Sequence, residues 1–198
     1  MNLGFIGTGT MGNPMVRCLI DAGHRLTVHD VRREATTNLC EMGATWAESA
    51  REVGLASQAV FTSLPSPAEM ETTVLDPDNG ILAGLLTGGA YIDLTTNAPD
   101  VVRRIAEVCL SRGIEMLDAP VSGGEPGAVA GTLAVMVGGK QAVFDKSLDL
   151  MNVMGGNVVL TGDIGAGGVT KLANQIIVAA NIEALSEALV LSQKAGGD

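Results

Sequence analysis

Residues 3–15 read Leu3-Gly-Phe-Ile-Gly-Thr-Gly-Thr-Met-Gly-Asn-Pro-Met15. Three glycines with GxGxxG spacing stand here between an apolar run and a helical pattern. In this setting the first glycine permits a tight turn, the second lets the backbone approach a pyrophosphate, and the third lets the helix lie close to the strand. The N-terminus of that helix would offer N–H groups and a positive dipole to phosphates. Taken alone, the spacing also fits a mere tight turn.

Short apolar runs alternate with helical patterns along the first 118 residues. The runs that read as buried strands are Leu3–Ile6, Leu26–His29, Ala59–Leu64, Ala90–Leu94 and Ile114–Leu117. The helical patterns are Met11–Ala22, Arg33–Met42, Glu48–Val53, Ala68–Leu75 and Asp100–Arg112. This alternation predicts an α/β fold, a Rossmann-type doubly wound and mostly parallel sheet. In that fold the glycine stretch supplies predicted cofactor-binding residues, which are Gly7, Gly9, Thr10, Met11 and Gly12.

The pattern changes after residue 118. The next predicted elements are a Gly/Pro-rich loop (Pro120–Gly131), a strand (Thr132–Val137), a helix (Gln141–Met151) and a strand (Asn157–Leu160). A long helix over 168–194 closes the chain and is followed by two glycines. We therefore divide the chain into a dinucleotide-binding domain over 1–163 and a long interdomain or dimer helix over 164–198.

The long helix is apolar around its whole circumference between Ile176 and Ala180. A helix of this kind needs contacts on several sides. A second domain or a second subunit is expected to provide them, so a homo-oligomer through this helix is one expectation. Burial inside its own domain is the alternative. Asn181, Glu183 and Glu187 interrupt the apolar stretch, and a membrane span is therefore not expected.

Charge and cysteine content argue against several classes of protein. The 12 basic and 22 acidic side chains give a net charge of −10, which repels nucleic acid and anionic lipid surfaces. The three cysteines, Cys18, Cys40 and Cys109, lie far apart without CxxC spacing. This arrangement argues against a disulfide framework and a structural zinc site, and no metal is expected. Because the sequence begins without a secretory signal pattern, the expected compartment is a reducing cytoplasm.

The residues at the end of the second predicted strand should determine whether NAD or NADP binds. Asp30 lies 18 positions after Gly12, where a carboxylate bonds the adenosine ribose in NAD-binding domains and disfavours the 2′-phosphate of NADP. Arg32 and Arg33 follow and could pair with such a phosphate. A solvated helix start is the alternative explanation for all three residues. NAD is the expected cofactor, with NADP possible through the two arginines.

Two further loops follow the third and fourth predicted strands. Ligands of such sheets bind outside the carboxyl ends of the strands, so these loops should face the cofactor. The predicted contacts are Leu64 and Pro65 in one loop and Thr96 in the other. For Thr96 and its neighbour Thr95, capping of the helix that follows is the alternative.

Two later blocks carry candidate chemistry. Asp118-Ala-Pro-Val-Ser-Gly-Gly124 puts a hydroxyl and two glycine amides after a strand end, which forms either a concavity for a carboxylate or a surface turn. Gly165-Ala-Gly-Gly-Val-Thr-Lys-Leu-Ala-Asn-Gln175 is a glycine-rich helix entry. Its Lys171, Asn174 and Gln175 stand at i, i+3 and i+4 and so share one helical face. A lone helical lysine is otherwise usually a solvated charge.

Together these blocks resemble the β-hydroxyacid dehydrogenases, the family of 3-hydroxyisobutyrate and 6-phosphogluconate dehydrogenases. The glycine stretch, the Asp-Ala-Pro-Val-Ser-Gly-Gly block and the Gly-x-Gly-x-x-x-Lys-x-x-Asn block stand in the family's order over nearly the whole chain. Ser-Gly-Gly-Glu-Pro at 122–126 and Lys-Leu-Ala-Asn-Gln at 171–175 are most similar to the tartronate semialdehyde (2-hydroxy-3-oxopropionate) reductases.

The resemblance implies an oxidoreductase that moves hydride between NAD(P)(H) and a small β-hydroxyacid or semialdehyde. It implies that Lys171 is the acid/base and that Thr96 lies near the nicotinamide. The implied substrate-binding residues are Ser122, Gly123, Gly124, Asn174 and Gln175. The sequence departs from the family in two ways: Gln175 replaces a second Asn found in many relatives, and the family's C-terminal all-helical domain is absent.

Other functions stay open at this point. A non-catalytic dinucleotide-binding fragment would explain the absent domain, and a 3-hydroxyisobutyrate dehydrogenase would share the motifs. A methyltransferase-like domain that binds S-adenosylmethionine would share the glycine loop but leave Lys171 and the Ser122 loop unexplained. Imine reductases are related but usually lack the lysine.

Overall fold

The computed structural model describes residues 1–197; Asp198, the last residue of the predicted 164–198 segment, lies outside the described residues. Over residues 1–197 the chain forms a nine-stranded sheet. The strands are β1 (Asn2–Ile6), β2 (Arg25–His29), β3 (Thr45–Trp46), β4 (Ala59–Thr62), β5 (Ala90–Asp93), β6 (Glu115–Asp118), β7 (Val121–Ser122), β8 (Leu133–Gly138) and β9 (Gly155–Gly162). The helices are α1 (Gly12–Asp21), α2 (Thr37–Glu41), α3 (Ala50–Leu55), α4 (Pro67–Leu75), α5 (Ile81–Gly84), α6 (Pro99–Ser111), α7 (Gly124–Ala130), α8 (Gln141–Asn152) and α9 (Ala166–Lys194).

The first six strands form a parallel sheet in the order β3-β2-β1-β4-β5-β6. The central strand is β1, in which Leu3 pairs with Leu26 on one side and with Ala59 on the other. Strand order reverses between β1 and β4, and such a reversal opens a ligand crevice at the carboxyl ends of the strands. The predicted doubly wound α/β fold class is confirmed.

Helices cover both faces of the sheet because the buried strands are apolar on both sides. On one face α1, α2, α7 and α8 pack against Phe5 and Phe61, whose rings stack with centroids 6.0 Å apart. On the other face α3, α4, α5 and α6 pack against Val60 and Tyr91. Cys109 lies in this second core, and all three cysteines are free.

The turn from β1 into α1 depends on its glycines. Gly7 has φ +88°, in the left-handed region, and a side chain there would overlap the carbonyl oxygen of Ser63. A Cβ on Gly12 would overlap the carbonyl oxygen of Gly7, which shows how closely the helix starts against the strand. Gly9 differs, since a Cβ there would have only the Arg32 guanidinium within reach, at 4.0 Å.

Several sequence-based boundaries are wrong. The predicted helix Arg33–Met42 is a 3-10 turn over Arg33–Thr36 followed by α2, and the predicted strand Ala59–Leu64 ends at Thr62. The predicted helix Glu48–Val53 starts instead at Ala50, because the Ser49 side chain caps it by accepting a hydrogen bond from the N–H of Glu52. The short elements β3 and α5 have no counterpart in the prediction.

The prediction that Pro120–Gly131 is a loop is also wrong, because this segment contains β7 and α7. Helix α7 is flanked by two cap glycines with positive φ, Gly123 at +139° before it and Gly131 at +66° after it. Beyond it the sheet changes direction: β8 runs antiparallel to β6 and β7, and β9 runs parallel to β8. The glycine and proline content that reads as a loop therefore marks the two ends of a short helix.

Helix α9 leaves the domain after its first turns. Its start is buried at Gly167, Gly168 and Lys171, whereas every residue over 175–197 is exposed. The exposed fraction of the large apolar side chains there ranges from 38% at Val178 to 72% at Ile176. The alternative that this helix is buried in its own domain is therefore wrong for residues 175–197.

By length and composition alone, α9 could cross a membrane, with a mean hydropathy of 1.4 over its most apolar 18-residue window. One such helix is weak evidence, and this one differs from the core helix of a soluble domain because none of that window is buried within the described residues. The first turns of α9 are enclosed by the sheet and its loops, which is not a feature of a free membrane span.

We expect Gly12→Ala to lower stability far more than Gly9→Ala does. The added methyl at position 12 overlaps a backbone oxygen, which should lower the free energy of unfolding by about 3 kcal/mol. The added methyl at position 9 meets open space and should change stability by less than about 0.5 kcal/mol. Urea unfolding of both variants measures the difference, and equal losses would contradict it.

Candidate active site

A groove of about 780 Å³ lies at the carboxyl ends of β1, β2 and β4. It contains all but one of the residues predicted to bind the cofactor, and these are Gly7, Gly9, Thr10, Met11, Gly12, Asp30, Leu64 and Pro65. Thr96 does not line this groove; it is exposed on the loop after β5. The structure thus brings together residues that the sequence spreads over about sixty positions.

The glycine turn suits a pyrophosphate. The backbone at Gly9 faces open space in the groove, and α1 begins at Gly12 with no side chain on its N-cap residue Met11 bonding the first turn. Backbone N–H groups at this end of the helix therefore point to a space that an anion can occupy. These residues fit the diphosphate of a dinucleotide.

The Asp30 carboxylate fastens the glycine turn to the end of β2. Its Oδ2 accepts hydrogen bonds from the backbone N–H of Thr8 at 2.8 Å and from the Thr8 hydroxyl at 3.3 Å. Its Oδ1 accepts one from the backbone N–H of Arg32 at 2.9 Å. A carboxylate oxygen can accept two hydrogen bonds, so Oδ1 keeps room for a ribose hydroxyl.

The two arginines after β2 point in different directions. The Arg33 guanidinium lies over the Trp46 ring, 5.4 Å from its centroid, and its Nη1 is 3.7 Å from a carboxylate oxygen of Glu48. The Arg32 Nε is 3.9 Å from Asp30 Oδ1, beside the groove. Arg33 is therefore held by an aromatic ring and an acid, whereas Arg32 stays at the groove edge.

A buried polar cluster, which the sequence did not reveal, lies at the end of β5. Asp93 is completely buried, and its Oδ1 accepts hydrogen bonds from the Thr62 hydroxyl at 2.7 Å and the Thr95 N–H at 3.1 Å. Its Oδ2 accepts one from the Asn97 amide at 2.6 Å. Burial raises the pKa of Asp93 to about 6, although these hydrogen bonds oppose the shift.

The same cluster joins the two loops predicted to face the cofactor. Thr95 Oγ1 accepts a hydrogen bond from the Leu64 N–H at 3.0 Å. The N-cap residue of α6 is Ala98, without a side-chain bond, so the helix-capping alternative for Thr95 and Thr96 is wrong. Within the described residues the Asn97 Oδ1 is buried without a hydrogen-bond partner.

The two later blocks meet at the start of α9. Ser122 ends β7, and Gly123 and Gly124, both with positive φ, lead into α7. The Asn174 amide lies 3.5 Å from the Ser122 hydroxyl oxygen and 3.3 Å from Gln175 Oε1, in both cases as the donor. The predicted substrate loop and the predicted helical face are therefore adjacent.

Lys171 lies in the buried first part of α9, with 8% of its surface exposed. Burial lowers the pKa of its ammonium group from the ordinary value, because desolvation disfavours the charged form. Among residues 1–197 no carboxylate lies within ion-pair distance of its Nζ. The amine is thus desolvated and unpaired, one turn away from Asn174.

Comparison with known proteins agrees with this geometry. Residues 2–162 match the family model for the NAD binding domain of 6-phosphogluconate dehydrogenase. Residues 165–198 match the model for NAD-binding of NADP-dependent 3-hydroxyisobutyrate dehydrogenase.

The chain is 45% identical to 2-hydroxy-3-oxopropionate reductase of Escherichia coli (strain K12), over 100% of this chain and 67% of the relative. It is 39% identical to 3-hydroxyisobutyrate dehydrogenase of Pseudomonas aeruginosa, over 100% and 66%. The solved structure of Mycobacterium tuberculosis 3-hydroxyisobutyrate dehydrogenase with L-serine superposes with a TM-score of 0.93 at 32% identity, over 100% of this chain and 66% of that one. The chain spans about two thirds of the length of these relatives.

The doubly wound sheet, the glycine turn and the groove define a dinucleotide-binding domain of the NAD(P)-dependent oxidoreductases. More narrowly, the chain belongs to the β-hydroxyacid dehydrogenase family. The family predicted from the three sequence blocks is confirmed, and so is the nicotinamide dinucleotide as the cofactor class.

We expect Asp93→Asn to remove a pH dependence of stability. Because the folded pKa of Asp93 is raised from 3.8 to about 6, the folded protein keeps a proton that the unfolded chain loses between these values. Below pH 3.8 the protonated Asp93 contributes its whole stabilisation, about 3 kcal/mol. This contribution is lost as the pH rises through about 6. Urea unfolding between about pH 4 and 8 measures it.

The variant should therefore gain stability relative to the wild type as pH rises through this window. Asp149→Asn, which changes an exposed aspartate of α8, is the matched control and should keep the wild-type profile. A constant difference between Asp93→Asn and wild type at all pH values would contradict the prediction.

Proposed function

We propose that this protein transfers hydride between a nicotinamide dinucleotide and a small β-hydroxyacid or its semialdehyde, with reduction of 2-hydroxy-3-oxopropionate (tartronate semialdehyde) as its reaction. The observation that carries the proposal is the buried, unpaired Lys171 beside the contact between Asn174 and Ser122. Lys171 is the catalytic acid/base in this proposal. Thr96 is the contact near the nicotinamide, on the loop that the Asp93 cluster holds.

The chemistry follows from the environment of the amine. The bound nicotinamide supplies or accepts the hydride. When hydride reaches an aldehyde carbon, negative charge grows on the oxygen, and the Lys171 ammonium donates a hydrogen bond and then a proton to it. In the oxidative direction the neutral amine accepts the proton, and the lowered pKa of Lys171 favours that form.

A carboxylate on the substrate fits the loop at 122–124. Ser122 offers a hydroxyl, and Gly123 and Gly124 offer backbone amides in a concave segment with positive φ. Because the net charge of −10 repels anions at long range, such local donors have to capture the substrate. Asn174 and Gln175 are substrate contacts in this proposal, with Gln175 acting on the Asn174 amide that donates to it.

The relatives support this substrate class. The reductase of E. coli carries 2-hydroxy-3-oxopropionate in its name and is 45% identical, whereas the P. aeruginosa 3-hydroxyisobutyrate dehydrogenase is 39% identical. Oxidation of 3-hydroxyisobutyrate is therefore the second candidate, and comparing the two substrates on one preparation separates them.

NAD is the proposed cofactor in preference to NADP. Asp30 stands at the groove with acceptor capacity for ribose hydroxyls, and its charge opposes a 2′-phosphate. Arg33 is held by Trp46 and Glu48, which leaves Arg32 as the cation at the groove edge. Non-catalytic dinucleotide binding remains the competing function.

The proposal includes the domain division at 163/164 and a homo-oligomer formed through the exposed part of α9. The oligomer rests on the exposure of the large apolar side chains over 175–197, and the division lies between the end of β9 and the start of α9. A reducing cytoplasm, expected from the unpaired cysteines, stays a prediction.

We expect Lys171→Ala to lower kcat sharply without loss of cofactor binding. The assay follows NADH oxidation with tartronate semialdehyde and a panel of related semialdehydes, on this chain and on a version extended by a helical domain. Loss of the general acid should lower kcat about 10²–10⁴-fold. Lys146→Ala, which removes an exposed lysine of α8, is the control and should keep full activity.

A kcat for Lys171→Ala within about tenfold of the wild-type value would refute the role of the lysine. Calorimetry with NADH accompanies the assay, because binding without turnover in both lengths of the wild-type chain would favour the non-catalytic fragment.

We expect Glu48→Gln to raise the affinity for NADPH relative to NADH by about two- to fivefold, because it removes one of the two contacts that hold Arg33 and an exposed ion pair contributes at most about 1 kcal/mol. Glu34→Gln removes the same charge from a neighbouring exposed acid and is the matched control. Calorimetric titration with both dinucleotides measures the ratio. Equal ratios in the two variants would show that Glu48 does not restrain Arg33.

A further inference from the structure

Asp118 connects two parts of the candidate site that are far apart in sequence. It is the last residue of β6, only 1% of its surface is exposed, and the chain continues from it to the Ser122 loop. Its Oδ1 accepts a hydrogen bond from the Gly165 N–H at 2.7 Å, and its Oδ2 accepts one from the Gly168 N–H at 2.8 Å. Both carboxylate oxygens thus bind the beginning of α9.

These two donors are the ones that a helix start leaves without partners. Gly165 is the N-cap residue of α9, with φ +90°, and it has no side chain to bond the first turn. Gly168 is the third residue of the helix. In a capping box, a side chain at the N-cap binds the N–H at the third position, and a side chain from there binds the N–H of the N-cap. Asp118 performs both tasks from β6.

Close packing at the same place makes the position of the helix specific. A Cβ on Gly167 would overlap the Met136 carbonyl oxygen and come within 2.6 Å of the carbonyl oxygen of Asp118. A Cβ on Gly138 would overlap the Asp118 carboxylate itself. The first turn of α9 therefore lies directly on the ends of β6 and β8.

We infer that Asp118 is the positioning residue for Lys171. The lysine follows Gly168 by one helical turn, so the carboxylate that fixes the N–H of Gly168 also fixes the direction in which the Lys171 stem leaves the helix. The substrate loop begins at the same aspartate. A single buried side chain thus sets the distance between the acid/base and the groups that receive the substrate carboxylate.

Asp118 acts through the helix and not on the substrate. Both of its oxygens are occupied by backbone N–H groups, and it is buried beneath the glycines that it bonds. Burial raises the pKa of Asp118, while the Gly165 and Gly168 N–H groups and the charge of Arg103 oppose that shift. The two accepted bonds need acceptor oxygens at both positions, which an amide cannot supply.

The substitution Asp118→Asn tests this inference. Of its three readouts, only the kinetic one depends on the proposed function. Hydrogen–deuterium exchange of the full chain, followed over residues 163–175, reports the anchoring of α9 without any turnover. We expect exchange there to become at least tenfold faster, while the affinity for NADH, whose site lies at β1, β2 and β4, changes less than twofold. Where the wild type turns over, the substitution should lower kcat by a larger factor than it changes KM for the semialdehyde.

Leu150→Ala separates this effect from a general loss of stability, because it removes a buried side chain of α8. It should lower the unfolding temperature but leave exchange over 163–175 and kcat close to wild type. Unchanged exchange in Asp118→Asn would overturn the inference, as would a kcat identical to wild type. If the wild type shows no turnover at all, the proposed function fails while the exchange result still decides whether Asp118 anchors α9.

Discussion

Backbone N–H groups become unpaired wherever a parallel strand ends and its chain turns into a loop or a helix, and buried ones need acceptors. In this domain, aspartates at three strand ends supply those acceptors. Asp30 follows β2 and binds the glycine turn, Asp93 ends β5 and binds its own loop, and Asp118 ends β6 and binds the start of α9. Two of these strand ends are direct neighbours, since Asp93 and Asp118 pair in register. The loops of the site are positioned largely by these carboxylates.

This arrangement lets an acidic protein build a site for anions. These carboxylates accept hydrogen bonds mainly from the protein's own donors, and Asp30 alone among them lines the groove, while the donors left over at the glycine turn and in the Ser122 loop face the candidate ligand sites. Lys171 lies buried at the start of α9, and its burial lowers the pKa of the ammonium group. The net charge therefore says little about the local field that a substrate would meet.

The sequence predicts the parts of this structure that depend on local pattern. The glycine spacing at 7, 9 and 12 and the alternation of elements up to residue 118 are sufficient for five of the six parallel strands and for the groove. Helix α7 escapes such analysis because its flanking glycines look like a loop. The roles of Asp93 and Asp118 escape it because their partners are fixed only by tertiary structure. The position of Arg33 depends on Trp46 in a strand of two residues, which is too short to show periodicity.

Helix α9 is a stiff rod that is clamped at one end. Its buried first turns hold Lys171, and about 35 Å of helix extend beyond that residue to Lys194. Any body that packs on the exposed length shares one rigid element with the proposed acid/base, Lys171. If that body moves, the helix and the amine of Lys171 move with it. Closure of the site by such a body would therefore be coupled to the orientation of the lysine.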